Sequence, residues 1–338
     1  MNPLVIPIFI SHQGCPHRCL FCDQYTITGG TRIEEGPVTP EFVKKTIEHW
    51  LHRPRKKKKQ RVQVAFYGGS FTSLPQQRQR ELLESVRSYI AAGEVDCIRI
   101  STRPDYVDDR IADLLKEYSV AIVELGIQSL HQDVLEASAR GHSVQQSEDA
   151  LKLLKERGFT VGAQLMCGLP GDNSSRLMAT ARRIAELKPD FVRIYPALVI
   201  KGSGLEKIYR DGKYQPLSLT RAVALSCKMK AIFDEHNIKV VRMGLQPSAE
   251  LADKVLAGPY HPAFGELVIG RNLFNKTRKI LHEKGNMRGK KLRLAAADES
   301  AFRGPDNVSI KRLTALGLLE NIEIVFDKEQ IRNSVLVC

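Results

Sequence analysis

Three thiols lie within eight residues of GCPHRCLFCDQYTITGG (14–30): Cys15, Cys19 and Cys22, separated by three residues and then by two. Thiols this close do not all pair as disulfides, and adjacent thiolates suit a soft metal. Two metals compete. Zinc would want a fourth ligand, which His12 or His17 could supply from within the loop. An iron–sulfur cluster is held by thiolates, and three of them on a four-iron cluster leave one iron open to a substrate or cofactor. The remaining cysteines, Cys97, Cys167, Cys227 and Cys338, are scattered singly. They are expected to be small buried hydrophobes or, for Cys338, a free tail thiol.

The chain that positions this loop has 338 residues, 43% hydrophobic and 26% charged, which is ordinary for a globular protein with an ample core. Its apolar opening, LVIPIFI, is too short to span a bilayer and lacks the basic flank and cleavage site of a secretory signal. Seven cysteines, an odd number with three crowded together, do not form a disulfide framework. A cytoplasmic protein without a membrane partner is expected. The net charge of +13 favours a polyanionic partner such as nucleic acid.

Strand-like and helical stretches alternate. LVIPIFIS (4–11), VQVAFYGG (62–69), IRIST (98–102), AIVELGIQS (121–129), TVGAQLMCG (160–168) and DFVRIYPA (190–197) read as β-runs, and IKVVRMG as a last strand. The first helix, TPEFVKKTIEHWL, has Thr39 as N-cap and Pro40 at its first position. Six mostly apolar runs separated by helices imply an α/β fold with parallel strands covered by crossovers. A barrel or partial barrel is the natural closure, although an open doubly wound sheet also brings strand ends together. The cysteine loop, Gly68–Gly69, Thr102–Arg103 and Gln128–Ser129 each follow a β-run, so they are expected on one rim. Residues 1–245 are expected to form this unit and 246–338 a smaller basic extension.

A cysteine triad with these spacings after the first strand, with Phe21 ahead of Cys22, resembles the radical S-adenosylmethionine (SAM) superfamily. The resemblance implies a partial (β/α)6 barrel in which Cys15, Cys19 and Cys22 hold a 4Fe–4S cluster. Its open iron would bind the amino and carboxylate groups of the methionine part of SAM. An electron from an external donor would then release a 5′-deoxyadenosyl radical. By the same resemblance Gly68 and Gly69, in AFYGGSF, contact the methionine amino group; Ser70 stands where an acidic residue is common. Gln128 and Arg140 fall where the ribose and the methionine carboxylate are contacted, and Arg103 is a further candidate.

The runs TRPDYV, ELGIQS, RGH, MCGLPGD and YPALVIKGSGLEKIYRDGKY, within about residues 60–220, resemble the radical domain of the Elongator catalytic subunit. That family modifies carbon 5 of wobble uridine in transfer RNA, which implies a tRNA partner. Lys201 would then line the substrate side, the default for such a residue being a solvated lysine. Two departures stand against a full transfer: no coenzyme A signature occurs in the last 120 residues, and the first two cysteines are spaced more closely than in that family. A radical enzyme acting on a small molecule or protein is the alternative, and a non-catalytic, metal-stabilised RNA-binding module, marked by zinc, is another. Two basic stretches, RPRKKKKQR (53–61) and 285–313, suit phosphate contacts but hold almost no aromatic residues for stacking bases. In RMGLQPSAEL (242–251), Arg242 and Gln246 either line a substrate pocket or close the barrel mouth.

Overall fold

The structure is a computed structural model that describes residues 3–23, 26–27, 36–53, 60–283 and 289–338. Most of the basic stretch 53–61, and residues 285–288 of the second one, lie outside the described residues.

In chain order the principal elements are β1 (Leu4–Phe9), α1 (Pro40–Leu51), β2 (Val62–Tyr67), α2 (Gln76–Ala91), β3 (Cys97–Thr102), α3 (Asp109–Glu117) and β4 (Val120–Gln128). Then come α4 (Gln132–Ala137), α5 (Val144–Glu156), β5 (Thr160–Cys167), α6 (Ser174–Glu186), β6 (Phe191–Pro196), β7 (Val199–Ile200) and α7 (Gly204–Arg210). The chain continues through α8 (Leu219–Glu235), β8 (Lys239–Met243), α9 (Ala249–Lys254), β9 (Val255–Ala257) and α10 (Phe264–Glu283). It ends with β10 (Lys291–Ala295), α11 (Glu299–Arg303), α12 (Val308–Ala315), β11 (Glu323–Asp327) and β12 (Val335–Val337).

The six expected strands pair in chain order, all parallel, and β8 joins them as a seventh, giving the order β1-β2-β3-β4-β5-β6-β8. The sheet curls into a half-barrel whose two edges are β1 and β8. Local signals set the helices. The Thr39 hydroxyl accepts from the Phe42 N–H at 3.1 Å with Pro40 following, and Ser143 with Gln146 forms a reciprocal capping box. The outward faces of the strands (Val64 and Phe66, Ile98 and Ile100, Val123 and Leu125, Val161 and Leu165) carry the main core against the helix layer.

Beyond β8 the chain turns back across the barrel mouth. There β9 pairs antiparallel with the short β7, and Leu251 packs on Leu198 and Ile200. The helix α10 lies against α8. A second core, with Leu273, Phe274, Leu292 and Phe302, joins α10 to a three-stranded sheet of order β11-β10-β12. Several of the tail's cations are answered within this layer: Lys291 pairs with Glu323 at 2.9 Å, Arg293 pairs with Asp327, and Arg303 pairs with Glu299 at 2.8 Å. Among the described residues no helix is long and apolar enough to cross a membrane.

Phe66 is fully buried on the outer face of β2, its ring 5.0 Å from that of Phe71. Phe66→Ala should cost about 3–5 kcal/mol. Urea unfolding measures this, and a loss below about 1 kcal/mol would mean the outer face repacks around the void.

Candidate active site

The inward residues of the strands are polar where the outward ones are apolar. On β4, Glu124 is fully buried between two guanidinium groups. Arg99 of β3 donates to it at 2.6 Å, and Arg193 of β6 lies 2.5 Å from its second oxygen. The Tyr67 hydroxyl donates to the same carboxylate at 3.2 Å, and the Gln164 amide reaches it at 3.4 Å. Burial, then the neighbouring Glu124 charge, raises the Tyr67 phenol far above its ordinary value. This network floors a cavity of about 1330 Å³ at the C-terminal ends of the strands.

The cysteine loop forms the opposite wall. All three thiols border the cavity; Cys19 is buried, and Cys15 and Cys22 are partly exposed. The loop is tied down at three places. The Gln13 carbonyl accepts from the Ser70 N–H at 3.1 Å, and Ser73 donates to the Gly14 carbonyl. The Leu20 N–H bonds the Ser138 carbonyl at 3.0 Å, and the Leu20 carbonyl accepts from Leu205 at 2.7 Å. Gly69 lies so close to this loop that a Cβ would collide with the Ile10 and Gln13 carbonyls.

All the residues expected at the cofactor border this cavity: Cys15, Cys19, Cys22, Gly68, Gly69, Arg103, Gln128 and Arg140. Their environments differ. Arg140 is buried and donates to Cys19 Sγ at 3.4 Å and to the Gly126 carbonyl at 2.6 Å, while its Nε finds no partner. Gly126 lets the Arg140 guanidinium reach this carbonyl: a Cβ there would come within 2.8 Å of the guanidinium and displace the side chain. Arg103 is held by Asp105 through two bonds, at 2.9 and 2.8 Å, and donates to the Arg140 carbonyl at 2.7 Å. Its guanidinium therefore supports Arg140. Gln128 sits at a bulge with a positive φ of 70°, spanned by a Ser129 N–H to Ile127 carbonyl bond of 2.9 Å. Such a three-residue turn is strained for a residue with a Cβ, and strain of this kind clusters at ligand-binding positions. Ser70 is buried, its hydroxyl 3.1 Å from that of Thr102.

Arg242 and Gln246 face the cavity, bonded to each other at 2.6 Å. Lys201 does not. It is exposed outside the lining, and Lys207, on the helix α7, borders the cavity instead. Cys167 and Cys227 are buried as expected, and burial pushes the Cys167 thiol up to about 12; Cys97 is only partly buried. The sequence reading missed Tyr67, Arg99, Glu124 and Arg193, although a charge in the interior of each of three mostly apolar β-runs was a visible signal.

The donor set fits a cluster better than a single ion. Among the described residues no three His, Cys, Asp or Glu side chains converge on one point as a zinc site requires. Three thiols around one wall, with a buried guanidinium 3.4 Å from one sulfur, suit a larger thiolate-held group with an anionic ligand beside it.

Comparison with known proteins agrees with this geometry. The radical SAM superfamily profile matches residues 9–184, and a radical SAM C-terminal domain profile matches 189–273. The chain belongs to the radical SAM superfamily, and its cofactors are a 4Fe–4S cluster and SAM. An uncharacterised protein of Methanocaldococcus jannaschii is 30% identical over 293 residues, covering 84% of this chain and 86% of that protein. A tRNA uridine(34) acetyltransferase of the same organism is 26% identical, covering 68% of this chain and 48% of that protein; the chain thus spans about half the length of that relative. Among solved structures, Elp3 of Methanocaldococcus infernus superposes with a TM-score of 0.60 at 21% identity, covering 84% of this chain and 64% of that one.

Two predictions follow from the buried charges. Glu124→Ala leaves Arg99 and Arg193 facing each other, and urea unfolding should register a loss of about 3–5 kcal/mol; a near-neutral effect would mean water replaces the carboxylate. His142 is buried beside Arg140 with neither ring nitrogen bonded, and burial, then the Arg140 charge, pushes its pKa down to about 3. Protonation therefore opposes folding: the stability is full above the ordinary histidine value of about 6.5 and is lost as pH falls toward 3. Between pH 7 and 5 the protein should lose about 2 kcal/mol more than the His142→Leu variant. Equal losses would show that the imidazole is protonated without penalty.

Proposed function

We propose that this chain cleaves SAM reductively to modify a base of transfer RNA, of the wobble-uridine kind. In this reading Cys15, Cys19 and Cys22 hold the 4Fe–4S cluster, and an external donor supplies the electron. Gly68 and Gly69 present backbone groups to the methionine amino group, Gln128 meets the ribose, and Arg140 meets the methionine carboxylate. Arg103 positions Arg140. The barrel, 1–245, carries this chemistry, and 246–338 serves the RNA side. The protein works in the cytoplasm.

The observation that carries the cofactor assignment is the contact between Arg140 and Cys19, 3.4 Å apart. It brings an anion-binding guanidinium against a candidate ligand to the cluster, where it could pair with the carboxylate of a bound cofactor. When bound, the cluster and SAM supply a 5′-deoxyadenosyl radical that can take a hydrogen atom from carbon. The residues of this chain orient the reactants for that step. The glycines admit the cofactor close to the backbone, Gln128 is fixed by its turn, and the Arg99–Glu124–Arg193 floor holds the cavity open. The RNA reading is supported by the net charge of +13 and by relatives that include a tRNA uridine(34) acetyltransferase.

A second reading, a small-molecule substrate, draws on the internal pairing of Lys291, Arg293 and Arg303, which leaves the tail less free for phosphates.

The test is 5′-deoxyadenosine release by the anaerobically reconstituted protein with reductant, with and without total transfer RNA. A severalfold rise on adding transfer RNA, abolished in Cys19→Ala, is the expected result. Release indifferent to RNA would replace the RNA reading with the small-molecule one. No release at full iron loading would reject the cofactor roles assigned above.

A further inference from the structure

The cavity has a second group of cations, on the side away from Gly68, Gly69 and Gln128. Arg193 of β6 and Arg242 of β8 are direct neighbours in the strand register, and Lys207 of α7 joins them along the lining. In all, six Lys and Arg side chains border the cavity against two carboxylates, Asp23 and Glu124. Arg103 is answered by Asp105, just outside the lining, and Arg140 lies against Cys19. The others are not fully answered.

Glu124 is shared between Arg99 and Arg193, so one carboxylate faces two guanidiniums. Among the described residues Arg242 touches only neutral acceptors, the Gly244 carbonyl at 3.2 Å and Gln246 Oε1 at 2.6 Å. Lys207 has no side-chain partner among the described residues. A guanidinium stays charged at any physiological pH. Arg193 and Arg242 are only partly exposed, so water screens their mutual repulsion incompletely and an anion between them is favoured; Lys207 is exposed beside them.

We propose that Arg193, Arg242 and Lys207 form an oxyanion subsite that takes a phosphate or carboxylate group of the substrate. The subsite rests on the reading of this cavity as the active site. It is separate from the seat proposed for the methionine carboxylate, because that guanidinium, Arg140, follows β4 and bonds Cys19. Glu124 fixes Arg193 in the floor, and Gln246 turns the Arg242 fork. Lys207, on a solvent-facing helix, is free to close over the anion. The Nε–Nη2 edges of Arg193 and Arg242 are taken by Glu124 and by Gly244 with Gln246, which leaves the Nη1 groups and Lys207 to donate to an anion and to discriminate against a neutral substrate.

The experiment uses the full chain, reconstituted with cluster and SAM under anaerobic conditions. Titration calorimetry compares uridine, uridine 5′-monophosphate and malonate. At least one anionic probe should bind tenfold or more tightly than uridine. Preference for uridine 5′-monophosphate assigns the anion to a nucleotide phosphate; preference for malonate assigns it to a small carboxylate. Arg242→Gln and Lys207→Gln should each weaken the favoured probe about tenfold and leave SAM affinity unchanged; both residues are partly or fully exposed, so the fold should hold. The subsite is overturned if neither anion is preferred over uridine, or if both variants bind like the parent protein. If transfer RNA stimulates 5′-deoxyadenosine release but no anion is preferred, the subsite alone fails. Malonate binding without any response to transfer RNA keeps the subsite and rejects the RNA substrate.

Discussion

A carboxylate in the middle of a parallel sheet, with no exposure to water, is tolerable only if opposite charge lies within hydrogen-bond reach. Glu124 meets that condition through Arg99 on one side and Arg193 on the other, from strands β3 and β6. Once this ion triad is in place, the inner face of the half-barrel is committed to polar side chains. Tyr67, Gln63 and Gln164 then find their partners within the network. The outer face, with Ile98, Ile100, Val123 and Leu125, is left to supply the apolar burial. Stability and the open lumen thus come from opposite sides of the same strands.

The cofactor end follows a different logic. The residues proposed to meet the cofactor lie in the loops after β1, β2 and β3, at the last residue of β4 and after α4, where the backbone bonds across elements. Cys19 meets Arg140, and Arg103 holds the carbonyl of Arg140 while Asp105 fixes Arg103. The Thr102 hydroxyl gathers Ser70 and Thr72, at 3.1 and 2.6 Å, and so ties the end of β3 to the glycine turn after β2. Ser70 thereby has a structural use for its hydroxyl where the superfamily commonly has an acid. These hydrogen bonds tie the loops to one another, while Leu20 and Phe21 also pack against the apolar cluster around Val134 and Leu205.

This division explains what could be read from the sequence. The cysteine spacing, the glycine pair and the cap at Thr39–Pro40 are local signals, each legible within a few residues, and the parallel strands followed from their alternation with helices. The ion triad was not legible. Its members lie 25 and 69 residues apart, and the β-runs that carry them read as mostly apolar because each holds one charge in its interior. The pairing of β7 with β9 was hidden for the same reason, since Val199 meets Ala257 across the barrel mouth. Lys201 and Lys207 could not be told apart in one basic stretch, because only the position and phase of α7 decides which of them reaches the cavity.

The open geometry has a consequence for substrate choice. A closed eight-stranded barrel fills its interior with side chains or holds one small ligand. Seven strands that stop short of closure, with β1 and β8 as separate edges, leave a lumen of about 1330 Å³. Apolar inward residues at that spacing would collapse the lumen or demand filling, because voids in apolar interiors are costly. Paired charges and amides do neither: the buried carboxylate is satisfied by its two guanidiniums, and the amide beside it is held by hydrogen bonds within the same wall. The ion triad is therefore what allows the half-barrel to keep room for a cofactor on the cysteine side and a second, polar reactant on the β6–β8 side at once.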